Sequence, residues 1–211
     1  DGRYGLPDWA EAEVDRNAAW TWDHRPAKHL SDGELACALS HVRAYRKIIQ
    51  DGLPGAIIFE DDAIIGEAFK SFVTARGYEA GEMVLLGHCH AYVHRFSRTS
   101  LCEGVWGHRL VASPALAHGY SLSRKAAAHI VEKATPVCAV ADWPCDISRL
   151  RSLAADPQIA MQPVDRARRS HLEAYRLVAK RSTRGCKRKS RYVSGTYWLR
   201  ILRKRLGRRI A

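Results

Sequence analysis

Gly55-Ala56-Ile57-Ile58-Phe59-Glu60-Asp61-Asp62 decides the fold of this 211-residue chain. Its first five residues are an unbroken small and apolar run, preceded by Gly52 and Pro54 and followed at once by three carboxylates. That pattern is a strand buried on both faces which ends abruptly at solvent. Upstream, Ser31 and Glu34 have the spacing of a helix capping box, and Leu35, Leu39, Val42 and Ile49 recur at helical intervals. The spacing predicts a helix that starts at Ser31, carries Ser40 and His41 in its middle and stops before Gly52 and Pro54. Downstream, Met83-Val84-Leu85-Leu86 repeats the buried-strand pattern and is followed by Gly87, His88 and His90. An Ala-rich helix is expected from Ser123 to Lys133 and a last strand from Ile159 to Val164, while residues 91–115 read as loop and short strands. Helices alternating with short buried strands define an α/β protein, for which a mainly parallel sheet is expected.

The composition is that of one globular domain, 46% apolar and 27% charged, which excludes collagen-like, wholly disordered and disulfide-scaffold chains. No run of about 18 apolar residues is present to span a bilayer. The net charge of +12 is unevenly placed. From Ala179 onward there are 13 Lys/Arg and no acid, which leaves 21 basic against 22 acidic residues before it. The division expected is therefore a near-neutral catalytic body, residues 1–178, and a basic appendage, residues 179–211, that meets an anionic surface. In that appendage Trp198, Leu199, Leu202, Leu206 and Ile210 share one helical face, with Arg200, Arg203, Lys204 and Arg208 mostly opposite. The six cysteines show no zinc-ribbon spacing and the first residues no signal-peptide segment, so reduced thiols in a cytosolic protein are expected, without structural zinc.

Acids at the end of a buried strand stand where open α/β sheets bind ligands. Glu60, Asp61 and Asp62 repel one another, and a hard divalent cation with a preference for oxygen ligands would relieve that repulsion. A solvated acidic turn has the same pattern. His41 alone reads as a satisfied helix histidine, and His88 and His90 as either a metal pair or surface residues. Asp142, before Trp143-Pro144, is either a turn residue or a carboxylate beside an aromatic wall. P-loop, dinucleotide-binding and hydrolase-elbow signatures are absent.

Gly33-Glu34-Leu35-Ala36-Cys37-Ala38-Leu39-Ser40-His41 resembles the G-E-[IL]-[GA]-C-x-L-S-H motif of glycosyltransferase family 25, which includes bacterial lipooligosaccharide and collagen galactosyltransferases. The strand and acidic turn from Ala56 to Ile65 are similar to its E-D-D element, and Leu85-Leu86-Gly87 to its L-L-G. Ala117 to Ala127 is similar to its H-A-Y-x-[IL]-S-[RK]-K-A-A segment, with Gly119 in place of Ala, and Val140-Ala141-Asp142-Trp143 to P-x-D-[WY]. The sequence opens at Asp1-Gly2-Arg3, which resembles the A-V-D-G-R that follows the family's opening strand of the I-N-L-x-R-R type; a protein lacking that strand is expected to lose part of the donor pocket.

The resemblance implies a glycosyltransferase-A-like fold and transfer of a hexose, galactose in the first instance, from a UDP-sugar to a saccharide or lipid-linked acceptor of the cell surface. It implies Mn²⁺ or Mg²⁺ on Asp62 and Glu60, an inverting displacement with Asp142 as base, and Glu34, Ser40, His41, Glu60 and Asp61 around the donor. The basic appendage would hold the enzyme on the inner face of the membrane; nucleic acid is not an expected partner. Two rivals use the same residues: a metal-dependent or two-carboxylate glycan hydrolase, and a module that binds nucleic acid or membrane through the appendage.

Overall fold

The computed structural model describes residues 6–20, 25–26, 30–163 and 195–210. A short helix, α1 (Asp8–Glu11), and the paired segments β1 (Ala19–Trp20) and β2 (Arg25–Pro26) lead into α2 (Asp32–Gln50). The helix begins where the sequence places it. The Ser31 hydroxyl accepts from the Glu34 amide at 3.3 Å, and the Glu34 carboxylate accepts from the Ser31 amide at 3.0 Å. Two of the amides that every helix start leaves without intrahelical partners are thereby satisfied.

Strand β3 (Gly55–Phe59) follows as expected. After it come β4 (Ile64–Ile65), α3 (Ala68–Thr74), β5 (Met83–Leu85), β6 (Ala91–Val93), β7 (Thr99–Cys102), β8 (Val105–Ala112) and β9 (Gly119–Ser123). Helix α4 (Arg124–Ala134) is capped by the Ser123 hydroxyl, which accepts from the Ala126 amide. The remaining elements are β10 (Ser152–Asp156), β11 (Ala160–Met161), α5 (Gly195–Leu206) and β12 (Arg208–Ile210). Eight strands make the main sheet, in the order β12-β6-β8-β10-β5-β9-β3 with β7 on the free part of β8, while β4 and β11 pair separately.

The sheet corrects the expected direction of pairing. Only β5 with β10 is parallel among the described strands of this sheet, and every other pair in it is antiparallel. Unbroken apolar runs report that both faces are covered; they do not report strand direction. Met83 and Leu85 face the core shared with Tyr45, Ile130 and Trp143, while Val84 and Leu86 face a second core with Phe72 and Leu101. Helices α2 and α4 supply the first cover and α3 contributes Phe72 to the second, so antiparallel strands acquire the doubly buried signature of parallel ones.

Strand β8, eight residues long, lies in the segment read as loop and short strands. Its polar residues hid it: His108 is buried and satisfied by the Ser97 carbonyl and Arg208 rather than exposed. The expected strand at Ile159–Val164 shrinks to β11, with Val164 outside the described residues. The end of the basic segment also joins the sheet, since β12 pairs with β6 and Ile210 is buried in the first core.

Removing the cap tests how firmly α2 is anchored. Ser31→Ala is expected to lower unfolding free energy by about 1 kcal/mol, or nearer 2 because Glu34 is buried, in a urea titration with unchanged slope. An unchanged midpoint would show that packing alone sets the helix start.

Candidate functional site

The site is built where β3 runs out. The Glu60 amide donates to the His118 carbonyl at 3.0 Å and the Ala63 amide to the Glu60 carbonyl at 3.1 Å, which closes a turn with Asp61 and Asp62 exposed at its corner. Glu60 instead faces inward. Its Oε1 is 3.5 Å from His41 Nε2 and its Oε2 accepts a long hydrogen bond, 3.5 Å, from Gln162 Nε2. His41 is 7% exposed, and its Nδ1 lies 2.6 Å from the Tyr120 hydroxyl, which lies 2.5 Å from that of Tyr45. Burial holds both phenols well above their ordinary titration range, so they remain hydrogen-bonding hydroxyls.

Asp62 is pushed upward from the usual carboxylate range, first by desolvation and then by the charges of Glu60 and Asp61. Crowded oxygen donors of this kind fit a hard divalent cation, whose charge removes the repulsion. Asp62 would be the outer ligand and Glu60 the inner one. Cys37 joins His41 and Glu60, one ligand atom of each lying within 4.8 Å of the others, and Asp62 stands outside that group.

Asp142 occupies the apex of a three-residue turn closed by a 2.6 Å bond from the Trp143 amide to the Ala141 carbonyl. Trp143 adopts φ +95°, a conformation rare for a bulky side chain, and is fully buried with its ring edge-on to Tyr120 at 5.1 Å. Tyr120 thus touches both the His41 and the Asp142 segments. Between them lies a cavity of about 340 Å³ lined by His41, Tyr45, Ala141 and Pro144, with Asp15 and Lys133 among its polar groups. Its size and its mostly apolar wall with a few polar groups are those of a small-molecule site.

The other sequence candidates fall differently. The carboxylate of Glu34 serves the capping box, and exposed Ser40 donates to the Ala36 carbonyl on its own helix. His88 and His90 diverge. His88 is buried against the Ala155 carbonyl at 3.0 Å, with its pKa lowered by burial, and exposed His90 meets Arg209 at 2.8 Å. Sequence reading missed Tyr45, Tyr120 and Cys37, although Cys37 and His41 are spaced i, i+4. It also missed His118, packed so closely on Gly87 that a Cβ there would lie 1.9 Å from its Nε2.

The family model of glycosyltransferase family 25, described as an LPS biosynthesis protein, matches residues 10–146. A Haemophilus influenzae protein whose name assigns it provisionally to the glycosyltransferases is 42% identical over 53 residues, 25% of this chain and 19% of its own length. The "Lacto-N-neotetraose biosynthesis glycosyltransferase LgtB" of Neisseria meningitidis serogroup B is 38% identical over 45 residues, 21% of this chain and 16% of that protein. The "Lipooligosaccharide biosynthesis protein lic2B" of Haemophilus influenzae is 41% identical over 44 residues, again 21% and 16%. The chain thus matches less than a fifth of the length of each of these relatives.

Asp62 supplies a pH-dependent test. A native pKa above the unfolded one means that the ionised carboxylate opposes folding at neutral pH, and that the penalty fades as pH falls and both states take up the proton. Asp62→Asn is expected to raise Tm by about 1–2 °C at pH 7, a small value because the group is exposed. The gain should vanish below the ordinary Asp pKa of about 3.9. A lower Tm at pH 7 would mean that Asp62 is stabilised by a partner rather than crowded.

Proposed function

The chain belongs to glycosyltransferase family 25, and from that membership and the site we propose that it transfers a hexose, galactose from UDP-galactose, to a saccharide acceptor in lipopolysaccharide or lipooligosaccharide assembly. The observation that carries this reading is the cavity lined by His41 on one side and by Ala141 and Pro144, which flank the Asp142 turn, on the other, with His41 itself 3.5 Å from Glu60 at the end of β3. A glycosyltransferase-A-like donor half is part of the proposal.

In this reading the acceptor hydroxyl attacks the anomeric carbon of the donor sugar with inversion. The new oxygen–carbon bond forms as the bond to the diphosphate oxygen breaks. Asp142 takes the hydroxyl proton, and its place at the apex of a turn anchored by buried Trp143 fixes the carboxylate's origin. Asp62 and Glu60 would hold Mn²⁺ or Mg²⁺, which when bound supplies neutralisation of the leaving diphosphate. Asp61 extends the negative rim, and His41 forms wall between cavity and turn. Glu34 acts as a positioning residue by fixing the start of α2, and Ser40 lies on the same helix.

The C-terminal helix supports a membrane-facing role. Among the described residues no helix is long and apolar enough to cross a bilayer. Helix α5 turns charge toward the body, with Arg200 donating to the Ser113 carbonyl at 3.4 Å, Arg203 3.7 Å from Asp146, and Lys204 over the Tyr92 ring at 4.6 Å. Its apolar residues Trp198, Leu199, Leu202 and Leu206 are each more than half exposed. An outward apolar strip with exposed Arg205 on the same face suits the inner leaflet, where anionic lipid attracts each nearby cation by about 1 kcal/mol.

Transfer is expected to require the nucleotide-sugar donor, to cease in EDTA and to return with Mn²⁺ or Mg²⁺. Asp142→Asn should lower kcat by at least ~10²-fold with little change in donor binding by calorimetry. Release of free sugar from a glycan without donor would favour the hydrolase, and collapse of donor affinity would move Asp142 to the donor side.

Because Ile210 is buried and β12 completes the sheet edge, membrane binding is best tested by substitution rather than deletion. The intact protein should co-sediment with phosphatidylglycerol vesicles but not with phosphatidylcholine vesicles, less so in high salt. Trp198→Glu with Leu202→Glu should abolish this while leaving the circular dichroism spectrum unchanged. Equal sedimentation by the double variant would show that α5 is not the contact.

A further inference from the structure

Cys37 and His41 are four residues apart on α2, so their side chains stack along one face of the helix. That face meets the inward-turned Glu60 at the end of β3. We propose that Cys37, His41 and Glu60 bind a borderline divalent transition-metal cation, Zn²⁺ above others, in a three-ligand site with an open fourth position. The proposal rests on this geometry and not on the transferase reading.

Three features argue for it. The donor set is one thiol sulfur, one imidazole nitrogen and one carboxylate oxygen, a combination that favours zinc over Mg²⁺ or Mn²⁺ because the thiolate is soft. The spacing is already close to that of a filled site. Zinc bonds of about 2.0–2.3 Å place tetrahedral ligands roughly 3.3–3.8 Å apart, and His41 Nε2 and Glu60 Oε1 stand 3.5 Å apart, with all three ligand atoms inside 4.8 Å. Finally, the other ring nitrogen of His41 is held at 2.6 Å by Tyr120, itself bonded to Tyr45. A hydrogen-bonded outer partner of that kind fixes the tautomer and ring orientation of a metal-binding histidine.

In the filled site Nδ1–H donates to the Tyr120 oxygen and the Nε2 lone pair goes to the cation. The thiol proton of Cys37 is released to solvent, so affinity rises with pH. Glu60 uses Oε1 here, while Oε2, facing Gln162, remains for the outer cation of the Asp62 turn. The cation therefore pins the middle of α2 to the end of β3 and sets the acidic turn against the helix.

Cobalt provides a readout independent of sugar transfer. The full chain, stripped with chelator and titrated with Co²⁺, is expected to bind one equivalent in a tetrahedral site with a thiolate-to-cobalt charge-transfer band in the near ultraviolet, lost on adding one equivalent of Zn²⁺. Cys37→Ser should abolish the band, and Cys89→Ser, which changes an exposed thiol elsewhere, should leave it. Glu60→Gln should keep the band but weaken Zn²⁺ binding, and Tyr120→Phe should weaken it by about 10–100-fold. Circular dichroism on each variant checks folding. A missing charge-transfer band in the wild-type protein, or one that survives Cys37→Ser, overturns the proposal, whether or not the protein transfers sugar.

Discussion

The Tyr120 hydroxyl is the interaction on which the site depends. It sits in β9, inside the sheet, and joins His41 and Tyr45 of α2 in one buried hydrogen-bonded chain while its ring receives the edge of Trp143. Three polar groups are removed from water there, and each left without a partner would cost about 1–3 kcal/mol. The chain is favourable only when complete. It therefore fixes the rotation of α2 against the sheet more narrowly than apolar packing could, and with it the direction in which His41 presents Nε2 to Glu60.

Register in the sheet carries the same constraint to the acidic turn. Ile58 pairs with Tyr120 and Phe59 with Gly119, so the strand end that releases Glu60 is set directly by the partner of His41. A one-residue slip of β9 would turn Tyr120 to the opposite face and separate the helix from the acids. Gly119 lies at this junction because there is no room for more: a Cβ would stand 2.9 Å from that of Ala160 and 3.1 Å from the Phe59 ring. The family motif commonly has Ala at this place, so in this chain β11 and Phe59 close over the strand at a distance that Ala would disturb.

Local rules made part of this legible. The capping box, the period of α2 and the abrupt end of β3 are encoded within a few residues of one another, and the structure follows them. The order and direction of the strands are not encoded locally: β9 enters between β3 and β5 from sixty residues downstream, and β8 conceals its pattern because His108 is buried by partners distant in sequence. In the site, the E-D-D turn and His41 could be read from motifs, and Cys37 with His41 from helical spacing. The union of those two with Glu60 could not, because it depends on how a helix face meets a strand end. The C-terminal helix shows the same limit. Its two faces are visible in the sequence, but which one meets the body depends on the acceptors Ser113 and Asp146, supplied by the chain some sixty residues or more upstream.

Three places in the molecule go against local preference, and their locations are informative. Asp62 is crowded by two like charges, Trp143 is buried in a left-handed conformation, and α5 presents Trp198, Leu199, Leu202 and Leu206 outward. Each lowers the stability of the isolated fold, and each is opposed by a compensating device nearby: inward rotation of Glu60, the Tyr120 ring against Trp143, and the cations of α5 on the body. Features that oppose folding persist in natural proteins chiefly where binding or chemistry uses them. Trp143 packs on the Tyr120 ring, Asp62 follows Glu60 in the turn that ends β3, and the apolar residues of α5 are each more than half exposed. The proposed membrane contact and the proposed chemistry are thereby set apart, and the sheet joins them from β12 through β6, β8, β10 and β5 to β9 and β3, so a surface held by α5 would carry the site at a fixed orientation.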